Sequence, residues 1–327
     1  MIISKTPLRI SFCGGGTDIK NFWSTEQGKV LASAIDKYIY VIIKSRFDDD
    51  IVLNYTKREV VSNVLDLKHD LVREALKKTG VRSGVEIWTP SDIPSKGSGL
   101  GSSSTLTVGL LNAFYTFKSV QVEAENLARE ACEIEIDILG KPIGKQDQYI
   151  AAYGGMHEIS FNSDDVVALN PIDANNRRKK ILESNILLLF TGITRESKDI
   201  LRDQKNKMPK NRATLRKMKS QVLELKKLLE SNQKLDDVGR ILNDAWNYKR
   251  ELSRSITNTQ IEQMYRKALL SGALGGKICG AGGGGFLMIY VTKDEKEMFR
   301  KSMGNYPELE FEFSSSGSNI IFNDGNN

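Results

Sequence analysis

Residues 91–114 read SDIPSKGSGLGSSSTLTVGLLNAF, and the rest of the chain is best interpreted outward from this stretch. Glycines at positions 97, 99 and 101 lead into three serines, which open a helix that is apolar on nearly every side. The glycines allow the backbone to turn sharply, and the first turn of a helix offers unbonded N–H groups and the positive end of its dipole. One capping serine would suffice for an ordinary helix start, so the repeated glycines and serines favour phosphate binding.

Two further glycine-rich segments flank this stretch. Residues 6–22, TPLRISFCGGGTDIKNF, place a strand carrying Arg9 before three glycines, Thr17 and Asp18. Residues 275–290, GGKICGAGGGGFLMIY, place a run of glycines before an apolar strand. Such runs cost backbone entropy on folding, which points to a bound ligand or a close packing contact. A tight turn capped by Asp18 explains the first segment equally well, and a flexible linker is the alternative for the second.

Length and composition indicate two packed domains. The chain has 327 residues, of which 40% are hydrophobic and 27% charged, so it is neither disordered nor limited to a single typical core. Up to about residue 181 the sequence predicts strands, then a few helices, then more strands, and mostly helices follow. This pattern predicts an α+β protein with a boundary near residues 175–180.

The individual elements follow from periodicity and punctuation. We predict helices at 70–78, 102–117, 122–139 and 146–152, followed by one strand over ILESNILLLFTG (181–192) and then mostly helix to about residue 271. The chain would close with the strand GFLMIYVTKD, a short helix, the strand pair ELEFEFSS (308–315) and NIIF (319–322), and a frayed tail.

Histidine and cysteine chemistry is disfavoured. His69 and His157 are the two histidines of the chain, and neither lies near a serine or cysteine in a nucleophile motif. The three cysteines are odd in number and widely spaced, which suits a reducing compartment rather than a disulfide framework or a zinc site. No segment resembles a secretion signal or a membrane span, so we expect a cytoplasmic protein without a membrane partner.

The positive charge of the chain is concentrated in one segment. Residues 201–227 carry ten lysines and arginines and two acidic residues, which gives this segment a net charge of +8. The net charge of the whole chain is +6, so the remaining residues together carry −2. Apolar residues recur at helical spacing through the same segment, so it is predicted to be an amphipathic helix with a solvated basic face. Binding of nucleic acid and attraction of an anionic substrate remain as alternatives, although no aromatic residue interleaves the charges.

The three glycine-rich segments, in this order, resemble the GHMP small-molecule kinases, a family named for galactokinase, homoserine kinase, mevalonate kinase and phosphomevalonate kinase. The central motif of that family matches PSKGSGLGSSS at 94–104, its N-terminal motif matches Pro7-Leu8-Arg9, and its C-terminal glycine motif matches residues 277–285. The resemblance covers essentially the whole chain. It implies an α+β, two-domain GHMP kinase fold. Residues 1–180 would form an N-terminal domain similar to a ribosomal-protein fold, with the ATP-binding loop. Residues 181–327 would form a ferredoxin-like domain with a helical insertion.

The same resemblance implies the catalytic and nucleotide-binding residues. Asp147, in the segment GKPIGKQDQYIAAYGG, matches the catalytic aspartate, with Arg9 stabilising charge beside it. Ser103 and Glu135 match the ligands of Mg²⁺. Glu135 also continues the apolar stripe of its predicted helix, where a buried carboxylate needs a cation or a basic side chain as partner. The residues implied for ATP are Lys96, Gly97, Ser98, Gly99, Leu100, Gly101, Ser102, Ser103 and Ser104.

The sequence PLRISFCGGGTD resembles the branch of the family that phosphorylates the anomeric hydroxyl of sugars. The implied acceptor is D-glycero-D-manno-heptose 7-phosphate, giving the 1,7-bisphosphate used in nucleotide-heptose and surface polysaccharide synthesis. A kinase for another sugar, such as fucose, and a non-catalytic sugar or nucleotide sensor are the alternatives. ATP and a sugar phosphate are the expected partners, and nucleic acid is not. The residues implied for the acceptor are Gly15, Gly16, Thr17, Asp18, Arg195 and Gly283.

Overall fold

The structure, a computed structural model, describes residues 1–94, 97–195 and 198–325. Two antiparallel-rich sheets form its framework. The strands are β1 (Ile2–Cys13), β2 (Gly28–Ser45), β3 (Ile51–Asn54), β4 (Arg58–Val61), β5 (Val85–Trp88), β6 (Met156–Phe161), β7 (Val167–Pro171), β8 (Ile186–Phe190), β9 (Gly275–Ile278), β10 (Phe286–Tyr290), β11 (Glu308–Leu309) and β12 (Asn319–Asn323).

The helices surround these sheets. They are α1 (Lys20–Trp23), α2 (Asp70–Thr79), α3 (Ser102–Phe117), α4 (Ala124–Cys132), α5 (Gln146–Tyr153), α6 (Asn176–Asn185), α7 (Lys198–Glu230), α8 (Asp237–Leu252), α9 (Thr259–Leu270) and α10 (Lys296–Met303). A π-helical segment, Glu133–Ile138, continues α4 without a break. None of the helices described is long and apolar enough to cross a bilayer.

The first sheet has the order β12-β1-β2-β5-β3-β4, and β6 and β7 branch from it at β2. Strand β2 is 18 residues long and serves different neighbours at its two ends, pairing with β6 through its first six residues and with β5 through its last four. The central helix α3 packs on β1 and β2. Gly109 allows this approach, since a Cβ there would lie 2.9 Å from the Thr6 hydroxyl. The Arg9 N–H donates to the Leu100 carbonyl oxygen at 3.0 Å, which holds the start of α3 beside Arg9 of β1.

The second sheet, in the order β11-β8-β10-β9, is smaller and entirely antiparallel. One hydrophobic cluster joins the two sheets: Leu8 and Phe12 of β1 lie in the same buried cluster as Leu188 of β8 and Met288 of β10. The end of β1 and the glycine segment before β10 therefore meet across a continuous core.

The C-terminal segment crosses from the second sheet back to the first. β11 pairs with β8, then Phe313 forms an isolated bridge with Ile35, and β12 pairs with β1. The predicted strand over 308–315 is therefore only two residues long as a strand, because the chain is changing sheets there. Asn323, which follows the predicted strand at 319–322 and was expected in the frayed tail, also pairs with β1. The boundary at residue 180 separates the two sheets except for this return, and the division into domains stays a prediction.

Other differences concern short elements. The predicted strand at 181–192 is helical up to Asn185, because the Asn175 side chain accepts a hydrogen bond from the Arg178 N–H and starts a helix, α6. Strands β4 and β9 were not predicted, because each is only four residues long. β4 is partly charged and β9 begins with two glycines, so neither shows a clear alternation of apolar and polar residues. The predicted helix at 122–139 becomes π-helical at Glu133. The helices predicted at 70–78, 102–117 and 146–152 agree with α2, α3 and α5.

The basic segment is a 33-residue helix, α7, whose apolar face is buried as predicted. Its basic face is only partly solvated. Arg212, Arg216 and Lys219 converge on Glu26, and Lys226 pairs with Glu158 of β6 at 2.9 Å. Much of the charge on this helix therefore serves to attach it to the first half of the chain.

Candidate functional site

The ends of β1, α3, α5 and the glycine segment before β10 meet in one cleft. Arg9 of β1 donates from Nε and Nη2 to the two carboxylate oxygens of Asp147, at 2.7 and 2.6 Å, and from Nη1 to the Gly99 carbonyl oxygen at 2.6 Å. Asp147 is in the first turn of α5, and 22% of its side chain is exposed, whereas the Arg9 side chain is almost fully buried. The bidentate pair fixes the carboxylate at the floor of the cleft and links it to the loop before α3.

That loop requires its glycines. Gly97, Gly99 and Gly101 all have positive φ angles, between 72° and 85°. A Cβ on Gly99 would lie 2.6 Å from the Cys279 carbonyl oxygen, and a Cβ on Gly285 would lie 2.4 Å from that of Ser98. The Phe286 N–H donates to the same Ser98 oxygen at 3.2 Å. The glycine-rich segment at 97–101 and the one before β10 are therefore packed backbone to backbone. This packing explains the glycine run, which a flexible linker would not need.

The three serines at the start of α3 differ in exposure. Ser103 is exposed toward the cleft, whereas Ser102 and Ser104 are buried. The Ser102 and Ser98 hydroxyls lie 3.1 Å apart, and the Leu100 N–H donates to Ser98 at 3.3 Å. Ser98 and Ser102 thus shape the loop, whereas Ser103 is the exposed serine of the three. Lys96, which the sequence predicted as an ATP-binding residue, lies outside the described residues.

Ser103 faces a buried carboxylate. The Glu135 side chain is fully buried, and it accepts hydrogen bonds from Ser103 Oγ, from Gln148 Nε2 at 2.8 Å and from Lys141 Nζ at 3.2 Å. The π-helical segment turns Glu135 inward at this point, and such segments are frequent at functional sites. The Lys141 ammonium also lies 3.0 Å from Ser103 Oγ, so a cation already bridges the two predicted metal ligands.

This donor set fits Mg²⁺. A carboxylate and a hydroxyl are hard oxygen ligands, and Mg²⁺ in phosphate-transferring sites is held by one or two such groups together with the substrate phosphates. Within the described residues there is no group of three or more histidine, cysteine, aspartate or glutamate side chains that would hold a metal on its own.

The glycines at 14–16 form the other wall. Asp18 accepts hydrogen bonds from the Gly16 N–H at 2.8 Å and from Gln146 Nε2 at 3.0 Å, so it lies beside the start of α5. Burial raises the pKa of Asp18, and the charge of Asp147 adds to this effect, while the backbone donors oppose it. The Thr17 hydroxyl donates to the carbonyls of Gly14 and Lys29, and is therefore engaged in holding the loop rather than facing the cleft.

Arg195 and Gly283 lie together at the far edge of the cleft. The backbone of Arg195 lies against Gly97, where a Cβ would approach the Arg195 nitrogen to 2.6 Å. Its side chain passes Gly283 and reaches the Ser255 carbonyl at 3.5 Å, and the residue is exposed. The structure thus brings Arg195 to the loop at 97–101, with its side chain exposed.

Four polar residues of this region were not predicted from the sequence. Lys141 and Gln148 contact Glu135, and Gln146 contacts Asp18. Lys249 of α8 is buried and donates to the carbonyls of Gly280 and Ile278. Burial lowers the pKa of Lys249 well below the usual lysine range, and the nearby charge of Lys277 contributes. Lys141, Gln146 and Gln148 lie in GKPIGKQDQ, the segment that also contains the predicted Asp147, so their position could have indicated them. Nothing in the sequence of α8 distinguished Lys249.

The histidines and cysteines lie elsewhere or are inert. His69 accepts a hydrogen bond from the Val72 N–H at the start of α2, and His157 is on β6. Cys13 and Cys279 lie close to the cleft, but both are buried, and burial raises the pKa of Cys13 to about 12 and also raises that of Cys279. A protonated thiol is a poor nucleophile, so these residues contribute packing.

Comparison with known proteins covers both halves of the chain. Residues 63–155 match the GHMP kinases N terminal domain, and residues 224–307 match the GHMP kinases C terminal family. A D-glycero-alpha-D-manno-heptose 7-phosphate kinase from Campylobacter jejuni is 33% identical over 95% of this chain and 96% of its own length.

Solved structures give the same picture. The crystal structure of a D-glycero-D-manno-heptose 1-phosphate kinase from Bacteroides thetaiotaomicron matches with a TM-score of 0.82 and 27% identity, over 99% of each chain. A putative sugar kinase from Campylobacter jejuni matches with a TM-score of 0.77 and 29% identity, over 98% of each chain. The similarity therefore includes both sheets and the cleft between them.

Proposed function

Since the chain is a kinase that belongs to the GHMP family, we propose that it transfers the γ-phosphoryl group of ATP to the anomeric hydroxyl of D-glycero-D-manno-heptose 7-phosphate, which yields the 1,7-bisphosphate. The observation that carries the proposal is the Arg9–Asp147 pair, held by two hydrogen bonds at the point where the loop at 97–101 meets the start of α5. The heptose 7-phosphate kinase of C. jejuni supports the choice of acceptor, because it aligns over almost the whole chain.

The start of α3 would receive the ATP phosphates. The backbone N–H groups of 97–104 and the helix dipole supply partial positive charge there, and Ser103 supplies an exposed hydroxyl. The packing of Gly285 on Ser98 keeps this loop in place, so its N–H groups are oriented before the nucleotide binds.

Asp147 would bind the acceptor hydroxyl and take its proton. Each carboxylate oxygen accepts from Arg9 and keeps a further lone pair for the substrate. The acceptor oxygen then bonds to the γ-phosphorus, the bond from that phosphorus to the β,γ-bridging oxygen breaks, and ADP leaves with the electron pair. Because phosphoryl transfer depends mainly on alignment and charge stabilisation, the rigid Arg9–Asp147 geometry matters more than strong basicity.

Ser103 and Glu135 would hold Mg²⁺, which would supply positive charge to stabilise the phosphate oxygens of ATP. The buried Glu135 carboxylate is oriented for this role by Gln148 at 2.8 Å, which fixes its other oxygen. Gln148 is fully buried, so the carboxylate has little freedom to rotate.

Asp18 and Arg195 would recognise the sugar. Asp18 is buried beside Gly15 and Gly16 and near Asp147, where a hydroxyl next to the reacting one would reach it. Arg195 is exposed, and its hydrogen bond to the Ser255 carbonyl is long, at 3.5 Å. Its guanidinium would suit the remote phosphate of the acceptor. Gly283 leaves space for that side chain.

The experiment is an ADP-release assay with ATP and Mg²⁺ against heptose 7-phosphate, mannose, fucose, galactose and mevalonate. Strong turnover with heptose 7-phosphate alone would support both the reaction and the anionic acceptor. Turnover with fucose or another neutral sugar would retain the kinase reaction and reject the acceptor. An absence of turnover with every acceptor, despite measurable ATP binding, would favour a sensor on the same fold.

A further inference from the structure

Lys141 occupies the position that the proposed function gives to a metal ion. Its Nζ lies 3.0 Å from Ser103 Oγ and 3.2 Å from Glu135 Oε1, the two side-chain atoms suited to Mg²⁺. The loop that carries it is fixed at its base, since the Lys141 N–H donates to the Glu135 carbonyl oxygen at 2.9 Å. The ammonium therefore belongs to the local structure of this site.

The electrostatics of Glu135 explain why a cation is needed there. Glu135 is fully buried, and an unpaired carboxylate in that position would be strongly destabilising. Ser103 and Gln148 donate hydrogen bonds to it but carry no charge. Lys141 is the charged partner that the structure shows for Glu135 across residues 1–94, 97–195 and 198–325.

Lys141 and a metal ion cannot share these ligands. Mg²⁺ binds oxygen at about 2.0–2.1 Å, and two cations at the same pair of oxygens would repel each other strongly. The lysine can leave, because 24% of its side chain is exposed and its four-carbon stem is flexible. Glu135 cannot follow it, since Gln148 holds its other oxygen.

We propose that Lys141 is the resident counter-ion of the Ser103–Glu135 site, and that it is displaced when the metal–nucleotide complex binds. This inference rests on the proposed function for the location of the metal. The exchange keeps one cation on the buried carboxylate at every stage. It also weakens the binding of free metal, because the ion must first displace the ammonium, whereas a metal that arrives with ATP brings phosphate oxygens to which the ammonium can transfer.

The test is direct binding of Mn²⁺, followed by electron paramagnetic resonance, in the absence of nucleotide. If the lysine-bound state holds about nine-tenths of the molecules, Lys141→Met tightens Mn²⁺ binding about tenfold. Lys141→Arg keeps the charge and is expected to bind Mn²⁺ as weakly as the unaltered protein does. Lys141→Met is also expected to melt at a lower temperature in EDTA, with the loss restored by Mn²⁺. That restoration shows that the variant folds.

Unchanged or weaker Mn²⁺ binding by Lys141→Met would overturn the exchange. Glu135→Gln separates this failure from a failure of the metal site itself. If Glu135→Gln loses Mn²⁺ binding while Lys141→Met leaves it unchanged, the metal site stands and the role of Lys141 is rejected. If neither substitution affects Mn²⁺ binding, the metal lies elsewhere, and both the exchange and the proposed ligands are rejected.

Discussion

Arg9 and Asp147 show how much of the chemistry depends on single side chains. They are 138 residues apart in sequence, yet two hydrogen bonds of 2.6 and 2.7 Å join them at the cleft floor. The sequence predicted both residues from their motifs. It could not predict that Arg9 also binds the Gly99 carbonyl, because that contact depends on how the loop at 97–101 folds over β1.

Asp147→Asn is expected to lower kcat by about 10²–10⁴-fold, the usual effect of removing a positioned acid–base group, while the Kd for ATP stays unchanged. The asparagine oxygen can still accept from Arg9, so the fold is retained. Rate assays and calorimetric titration with ATP measure the two effects. Asp137→Asn, at an exposed position, is the matched control. Equal rates in the two variants would remove Asp147 from the mechanism.

Asp18 gives a pH prediction. Burial raises its pKa, with the charge of Asp147 adding to the shift, so Asp18 becomes protonated at a higher pH than an ordinary aspartate. A protonated Asp18 loses acceptor capacity, and KM for the sugar is therefore expected to increase as the pH falls through that raised pKa. KM for ATP is expected to change much less. Asp18→Asn should remove the dependence on pH of the sugar KM. A variant that retained the same acid limb would show that another group titrates.

At the scale of elements, the glycine-rich segments define the site. The segment before β10 packs against the loop before α3 so closely that side chains are excluded on both. The sequence indicated that such a run needs a packing or ligand reason, and the structure supplies the packing. The family predicted from these segments is confirmed, because both halves of the chain match it.

Gly285→Ala tests this packing. Gly285 has a φ of 82°, and a Cβ would lie 2.4 Å from the Ser98 carbonyl oxygen. Gly80→Ala is a suitable control, since the φ of Gly80 is 71° and a Cβ there would meet nothing within 4 Å. Each substitution carries backbone strain of about 1 kcal/mol. Only Gly285→Ala is also expected to weaken ATP binding, by about tenfold or more, because it displaces the loop at 97–101. Calorimetric titration with ATP would contradict the account if both variants bound ATP equally.

The elements that sequence reasoning predicted well are those with a strong local signal. α3 matches its predicted limits because apolar residues recur around it and glycine precedes it. The strand over 186–190 was recognised, but the preceding helix was not, since its start depends on a single capping side chain, Asn175. Strand β9 was missed because its glycines give no strand pattern, although its partner β10 is close in sequence. Strand β12 was predicted, at 319–322, but its pairing with β1 was not, because β1 lies at the other end of the chain. Register of this kind is decided by tertiary contacts rather than by the local pattern.

The whole molecule is held together partly by the basic helix. Glu158 of β6 accepts from Lys29 of β2 and from Lys226 of α7, so it joins the long helix to the first sheet. Burial opposes the ionisation of Glu158, but the hydrogen bonds from Lys29 and Lys226 outweigh it and lower its pKa. Because the pKa is lower in the folded than in the unfolded chain, the ionised group stabilises the fold at neutral pH. That contribution is lost as the pH falls through the lowered pKa.

Glu158→Gln is therefore expected to lower the free energy of unfolding at neutral pH by about 3 kcal/mol, since it leaves Lys29 without its carboxylate partner. The difference from the unaltered protein should shrink at a pH below the lowered pKa. Urea unfolding at the two pH values measures this. Glu224→Gln, which removes an exposed partner of Arg240, should cost less than about 1 kcal/mol. Equal losses in both variants, or no dependence on pH, would contradict the role of Glu158.

The most direct test of the central claim is phosphorus NMR of a reaction containing the protein, ATP, Mg²⁺ and heptose 7-phosphate. We predict a new phosphate signal coupled to the anomeric proton, formed in the same amount as ADP, with the original 7-phosphate signal retained. A new signal coupled to a different proton would contradict transfer to the anomeric hydroxyl. Formation of ADP and inorganic phosphate without any new sugar phosphate would contradict the proposed acceptor reaction altogether.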